Sequence, residues 1–191
     1  PADGLGLVYE SLTDRALDDT NASYGHIAEA WAYPPDISST TFRINPKAKW
    51  QDGQPITAED VKWSFEQQIA VNPNMQQYYQ DVEKVEITAP GEVTFFFSTT
   101  NNRELPVILG QMMVLPQHWW EGTDASGKTR DITASTLELP LGSGPYKMKE
   151  YASGASITYE RDPNYWAASL PIGLGQNNFD LVRFEYFRDL D

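Results

Sequence analysis

The sequence predicts an α+β fold, and three observations carry that prediction. Apolar residues recur at helical spacing over 57–71 and 103–113. Alternating apolar residues bounded by turn formers recur over 40–45, 85–97 and 146–161. The two kinds of segment interleave without the strand–helix repeat of a parallel sheet. A chain of 191 residues fits one domain or two small ones. At that size about 70% of the unfolded surface can be buried, enough for a substantial core.

The elements follow in order. Leu5 to Leu12 is apolar but too short to assign, and ends at Thr13-Asp14-Arg15. A cluster of Ile27, Ala28, Ala30 and Trp31 is closed by Pro34-Pro35, because proline removes a donor and restricts its predecessor. From Thr40 to Asn45, Phe42 and Ile44 share one face while Thr41, Arg43 and Asn45 share the other, a half-buried strand. Asp52-Gly53 after Trp50 reads as a tight turn. Thr57 then caps a helix, its hydroxyl accepting from the Asp60 amide, with Glu59 and Asp60 set against the positive helix end. Val61, Phe65 and Ile69 form its inner face, and Asn72-Pro73 is expected to stop it.

A hairpin comes next, with Val85 and Ile87 pointing inward, Pro90-Gly91 supplying a type II turn, and Val93, Phe95 and Phe97 returning. Leu105, Ile108, Leu109 and Met112 predict a helix over 103–113, and His118-Trp119-Trp120 a short one after Pro116. Gly122 to Thr136 is a polar loop. A second hairpin pairs Tyr146–Tyr151 with Ser156–Arg161 across Ala152-Ser153-Gly154-Ala155, and Gly173 to Asn178 is irregular. Asp162-Pro163-Asn164-Tyr165-Trp166 reads as a turn that packs two rings beneath that hairpin.

Composition narrows the function. A net charge of −13 with no Lys/Arg run argues against nucleic acid and anionic membrane as partners. There is no cysteine, hence no disulfide and no thiolate metal site. No apolar run approaches the roughly 18 residues of a membrane span, and no signal-peptide pattern is visible. The apolar run at Leu5–Tyr9, close behind Pro1-Ala2-Asp3-Gly4, and the alternating strand at Val182, Phe184 and Tyr186, close to Asp191, suggest part of something longer.

Catalytic constellations are sparse. The two histidines, His26 and His118, are distant from each other in the sequence and read as structural or surface residues rather than metal ligands. Asp124-Ala125-Ser126-Gly127 lacks the glutamate of a calcium loop. Ser143, between Gly142 and Gly144, does not sit in a nucleophile elbow. An acid pair for glycoside hydrolysis could be drawn from any of 27 acids, which makes it uninformative. Ligand-facing candidates are Tyr78 and Tyr79, two rings among polar residues, Asn102 and Arg103 at a helix start, and Trp50 beside its turn.

The order of six segments then carries a resemblance. Tyr9-Glu10-Ser11-Leu12, Ile27-Ala28-Glu29-Ala30-Trp31, Phe42-Arg43-Ile44, Trp50 through Val61, Gly142-Ser143-Gly144-Pro145-Tyr146 and Arg161-Asp162-Pro163-Asn164-Tyr165-Trp166 together resemble the family 5 extracellular solute-binding proteins. These are the peptide- and nickel-binding receptors of ABC importers. Asn102 to Pro106, Pro140 to Tyr146 and Asn177 to Asp180 look most like the YejA type, associated with oligopeptides and microcin C.

The resemblance implies the N-terminal lobe of a two-lobed receptor that closes on its ligand, with the second lobe absent from these residues. It further implies a base formed by 1–12 and 139–191 that carries an inserted subdomain at 13–138. In some relatives a tyrosine after the capped helix touches ligand, and Tyr78 is its nearest counterpart. The acid that grips a peptide amino terminus belongs to the missing lobe, and the nickel-holding residues of the family have no match here. The expected function is capture of oligopeptides or peptide-like conjugates in the periplasm for delivery to an inner-membrane ABC permease, by a monomer without cofactor, metal or catalysis. The alternatives are a hydrolase using two acids, and an interaction module that docks by its acidic surface.

Overall fold

In the computed structural model, residues 3–16, 19, 22–134 and 136–187 are described, so Pro1-Ala2 and Ser135 of the polar loop lie outside the described residues. The first half of the chain forms β1 (Thr13–Arg15), β2 (Ser23–Gly25), β3 (Ala28–Ala32), β4 (Ser39–Ile44), α1 (Ala58–Val71) and α2 (Pro73–Tyr78). The second half forms β5 (Val82–Ala89), β6 (Glu92–Phe97), α3 (Glu104–Gly110), α4 (Gln117–Trp120), β7 (Tyr146–Ala152), β8 (Ser156–Arg161) and β9 (Leu181–Glu185). Every strand pair among the described residues is antiparallel: a β1-β2 ribbon, a four-stranded sheet ordered β3-β4-β6-β5, and a three-stranded sheet ordered β7-β8-β9.

The four-stranded sheet carries the larger core. Phe42 on β4 and Phe95 on β6 meet edge to face with ring centroids 6.0 Å apart, and Phe65 of α1 meets Phe95 at 5.3 Å. Rings crossed this way place a positive edge on a negative face while filling volume. Val61 and Phe65 of α1 are buried and Ile69 packs partly against the same cluster, as the spacing predicts. The helix starts with a reciprocal cap: the Asp60 amide donates to Thr57 Oγ1 at 3.2 Å, and the Thr57 amide donates to Asp60 Oδ2 at 2.9 Å. The same buried carboxylate accepts from Trp50 Nε1 at 3.4 Å and from the Gln117 amide at 3.1 Å.

Three expectations change. Asn72-Pro73 does not simply stop α1: the Asn72 side chain accepts from the Asn74 amide at 3.0 Å and Pro73 takes the first position of α2, so the pair also starts a helix. Ile87 is exposed whereas Val85 is buried, because β5 is an edge strand with a register shift beside Ile87. The 103–113 helix ends at Gly110, where a Cβ would lie 2.5 Å from Thr13 Oγ1, so close approach of β1 favours glycine there and the chain turns.

Val8, Tyr9, Tyr146, Ile157 and Tyr159 form a second core under the β7-β8-β9 sheet. Buried members of the first cluster run from Leu12 to Val114, so the two cores draw on different stretches of the sequence.

The two longest motifs meet where these bodies join. The Gln51 side-chain amide donates to the carbonyls of Gly144 at 3.0 Å and Tyr146 at 2.8 Å, and its oxygen accepts from the Gly142 amide at 3.2 Å. The Gln51 main-chain amide adds a bond to the Gly142 carbonyl at 2.8 Å. On the other side of the glycine loop, the Ser143 and Gly144 amides both donate to the Val8 carbonyl, at 3.0 and 2.7 Å. A Cβ on Gly142 would lie 2.0 Å from that oxygen. The Gly-Ser-Gly sequence is therefore a backbone-packing device between Gln51 and Val8.

Candidate functional site

Glu10 leads from the smaller core toward the larger one, and its carboxylate is enclosed, with the residue only 7% exposed. Oε1 accepts the Tyr165 hydroxyl and lies 2.9 Å from His26 Nε2, while Oε2 accepts Trp166 Nε1 at 2.9 Å. His26 Nε2 also lies 3.1 Å from the Tyr165 hydroxyl oxygen, and the His26 ring stacks, tilted, against Trp166 at 5.5 Å. The turn after β8 brings the two rings here: the Asn164 amide donates to Asp162 Oδ1 at 2.9 Å, and Lys147 Nζ holds the other Asp162 oxygen at 3.0 Å. His26 is placed by its own amide, which donates to the Leu12 carbonyl at 3.1 Å.

Burial lowers the pKa of the His26 imidazole, but the hydrogen bond and charge of Glu10, with help from Asp14, outweigh it and the pKa lies above the ordinary histidine value. Burial, then the charge and hydrogen bond of Glu10, push the Tyr165 hydroxyl far upward, so it stays a donor.

This polar knot forms one wall of a cavity of about 340 Å3, also lined by Asp14, Gln111, Met113, Gly173 and Asn177. A second hollow of about 640 Å3, lined by Arg15, Tyr24, Glu29, Asn45 and Leu174, shares Ile172 and Gln176 with the first. The two hollows adjoin at the 170–177 segment, with the β1-β2 ribbon contributing to both, and are taken together as the candidate cleft. Its walls mix carboxylates, amides and aromatic rings, the lining of a site that orients a polar ligand on an apolar floor.

The residues singled out in the sequence lie elsewhere. Trp50 is 2% exposed and belongs to the first core, its Nε1 spent on Asp60, so neither face of its ring is open to a ligand. Tyr79 is 6% exposed; burial, and then neighbouring Tyr78, push its hydroxyl up to about 12. Tyr78 is 54% exposed and meets Tyr79 edge to face at 5.0 Å. Asn102 accepts the Glu104 amide at 3.0 Å, and Arg103 is exposed beside a shallow hollow with Tyr33, Pro35, Ile37 and Asn101. These five residues are not brought together, and none lines the cleft.

Glu10, Asp14, His26 and Tyr165 were missed as a group. Tyr165 and Trp166 are half-buried rings, but Trp166 packs against the first core rather than beneath the β7-β8 hairpin, and nothing local says that the polar ends of the two rings converge on Glu10. The one hint was an acid within the otherwise apolar stretch from Leu5 to Leu12. Both histidines face carboxylates distant in sequence; His118 Nε2 lies 2.8 Å from Asp52 Oδ2. Among the described residues no group of three or more His, Cys, Asp and Glu could hold a metal ion. Ser143 is buried with no partner for its hydroxyl and no histidine bonded to it.

Comparison with known proteins places these features in context. The family description "Bacterial extracellular solute-binding proteins, family 5 Middle" matches residues 23–191. An uncharacterized protein, y4wM, from Sinorhizobium fredii is 48% identical over 188 residues, covering 98% of this chain and 28% of that protein. The "probable peptide-binding protein YejA" of Agrobacterium fabrum is 46% identical over 190 residues, covering 100% of this chain and 31% of that protein. Among solved structures, NikA from Brucella suis in complex with Fe(III)-EDTA superposes with a TM-score of 0.75 at 20% identity, covering 96% of this chain and 34% of that one. At that identity the likeness concerns the fold alone. The chain thus spans about a third or less of the length of these proteins.

Proposed function

Because the chain belongs to the bacterial extracellular solute-binding proteins of family 5, we propose that it is part of the receptor of an ABC importer, one that captures oligopeptides or peptide-like conjugates in the periplasm. The observation that carries this reading is 46% identity, over the whole chain, to a protein described as probably peptide-binding. The cleft agrees with it chemically. Gln111, Gln176 and Asn177 offer paired donors and acceptors of the kind a peptide main chain needs, and Tyr24 and Leu174 offer area for side chains. With the polypeptide that the longer relatives possess, a second body would close over this cleft and strip water from the ligand's other side.

The receptor works as a monomer and passes its cargo to an inner-membrane permease. We divide this part of it into a base, 1–12 and 139–191, and an inserted subdomain, 13–138, a division that the two cores support except where Leu12, Met113, Leu115 and Trp166 pack across it. Tyr78, Asn102 and Arg103 keep a place in the proposal as surface contacts reached when the molecule closes. We assign no bond-breaking step. Glu10 and Asp14 line one cavity, as a two-acid hydrolase would require, but both Glu10 oxygens are already engaged by Tyr165, Trp166 and His26.

Isothermal titration of the full-length protein with a defined mixture of tri- to pentapeptides tests the reading, with the 191-residue piece titrated alongside. Binding by the full-length protein and only traces by the piece are expected. Peptide binding that fails in the full-length protein removes the ligand class, and micromolar binding by the piece alone removes the closing mechanism.

A further inference from the structure

We propose that the knot of Glu10, His26, Tyr165 and Trp166 is a proton-sensitive joint in the wall of the cleft, and that protonation of His26 locks the wall in its ligand-competent shape. The inference rests on the receptor reading above and adds regulation to the same site. Glu10 is a positioning residue here: its carboxylate is enclosed, and it acts through the groups it holds.

The geometry supplies the argument. Three donors from two distant parts of the chain converge on one carboxylate: His26 from between β2 and β3, and Tyr165 and Trp166 from the turn after β8. The carboxylate stands on the segment that links the two cores. With His26 protonated, a buried positive charge faces a buried negative one at 2.9 Å. With His26 neutral, Glu10, a residue 7% exposed, keeps only neutral donors around its carboxylate, and a buried charge without a counter-charge favours opening.

The other titratable groups that line the cavity are Asp14, Tyr9 and Tyr165, while Arg15, Tyr24 and Glu29 line the adjoining hollow. Asp14 on β1 lines the same cavity and its charge favours the imidazolium. Tyr165 and Tyr9 border it too, and burial holds both hydroxyls neutral, so neither competes for the titration. Glu29 on β3 faces the adjoining hollow and is engaged by Arg43 at 2.7 Å. His26 is thus the group of the joint that changes charge near neutral pH. A receptor whose competent form is only partly populated loses apparent affinity by that fraction.

The experiment uses the full-length protein and the same peptide mixture, titrated from pH 5.5 to 8.5, on the wild type and on His26→Gln. The wild type is expected to lose affinity several-fold as the pH rises, and His26→Gln is expected to bind weakly at every pH with a flat profile. Tyr165→Phe should keep a sloping profile, since the ion pair survives. A wild-type profile as flat as that of the variant overturns the joint while leaving the receptor reading intact. If no peptide binds at any pH, the receptor reading falls, and the joint is judged by NMR. The ring resonance lost in His26→Gln must titrate above the ordinary histidine value, and a value at or below it overturns the proposal. If His26→Gln fails to fold, the resonance is assigned instead by its contact with the Trp166 ring, 5.5 Å away, and decides the matter in the same way; it also decides if Tyr165→Phe fails to fold.

Discussion

Gln51 fastens the tight turn at 50–53 to the glycine loop at 142–146 with three side-chain hydrogen bonds, each to a main-chain group. A hydrogen bond of this kind contributes on the order of 1 kcal/mol net, and partners left buried and unmet cost more. Gln51→Ala should therefore lose about 2–3 kcal/mol, read as a lower urea midpoint with an unchanged slope. Gly144 shows the complementary constraint, since a Cβ there would stand 2.4 Å from the Leu7 carbonyl oxygen, a backbone atom that cannot swing aside. Gly144→Ala should cost about 1–3 kcal/mol or more by overpacking. Gly6, with nothing within 4 Å of its would-be Cβ, is the control, and Gly6→Ala should change stability by about 0.5 kcal/mol or less.

Among the elements, α1 was the most legible, because its cap, its inner face and its end are all written in neighbouring residues. The cap is a Thr-Asp reciprocal pair, and Thr57→Ala should cost about 1 kcal/mol in thermal or chemical denaturation. Both hairpins were legible for the same reason: Gly91 and Gly154 adopt positive φ, 73° and 68°, in the expected turns. α2 was not foreseen, since the Asn-Pro signal that ends one helix also starts another and local chemistry cannot choose between them. The inward direction of Ile87 was misread because alternation does not reveal that β5 lies at the edge of its sheet. The knot around Glu10 was illegible for a deeper reason. Its members lie as far as 156 positions apart, and each reads alone as ordinary packing. The ligand candidates Trp50 and Tyr79 show the converse: an aromatic ring beside a polar turn looks available until its neighbours close over it.

For the whole molecule, the Glu10–His26 pair ties the two cores, so its protonation state bears on global stability. The folded pKa of His26 lies above its unfolded value, so the pair's contribution is present in full below about pH 6.5 and is lost as pH rises through the raised value. Thermal melts at rising pH should show the wild type falling toward His26→Gln, and a gap that stays constant would contradict the linkage. The Gln51 contacts have a kinetic consequence as well. The bond to Gly144 joins residues 93 positions apart, so it closes only after a long stretch of chain has been organised. Such a contact is expected to form after the folding barrier. Loss of the Gln51 side chain should leave the refolding rate nearly unchanged and accelerate unfolding, which stopped-flow chevrons would show as a shift confined to one arm. The clasp between the two motifs thus governs how long the native state persists more than how quickly it is reached.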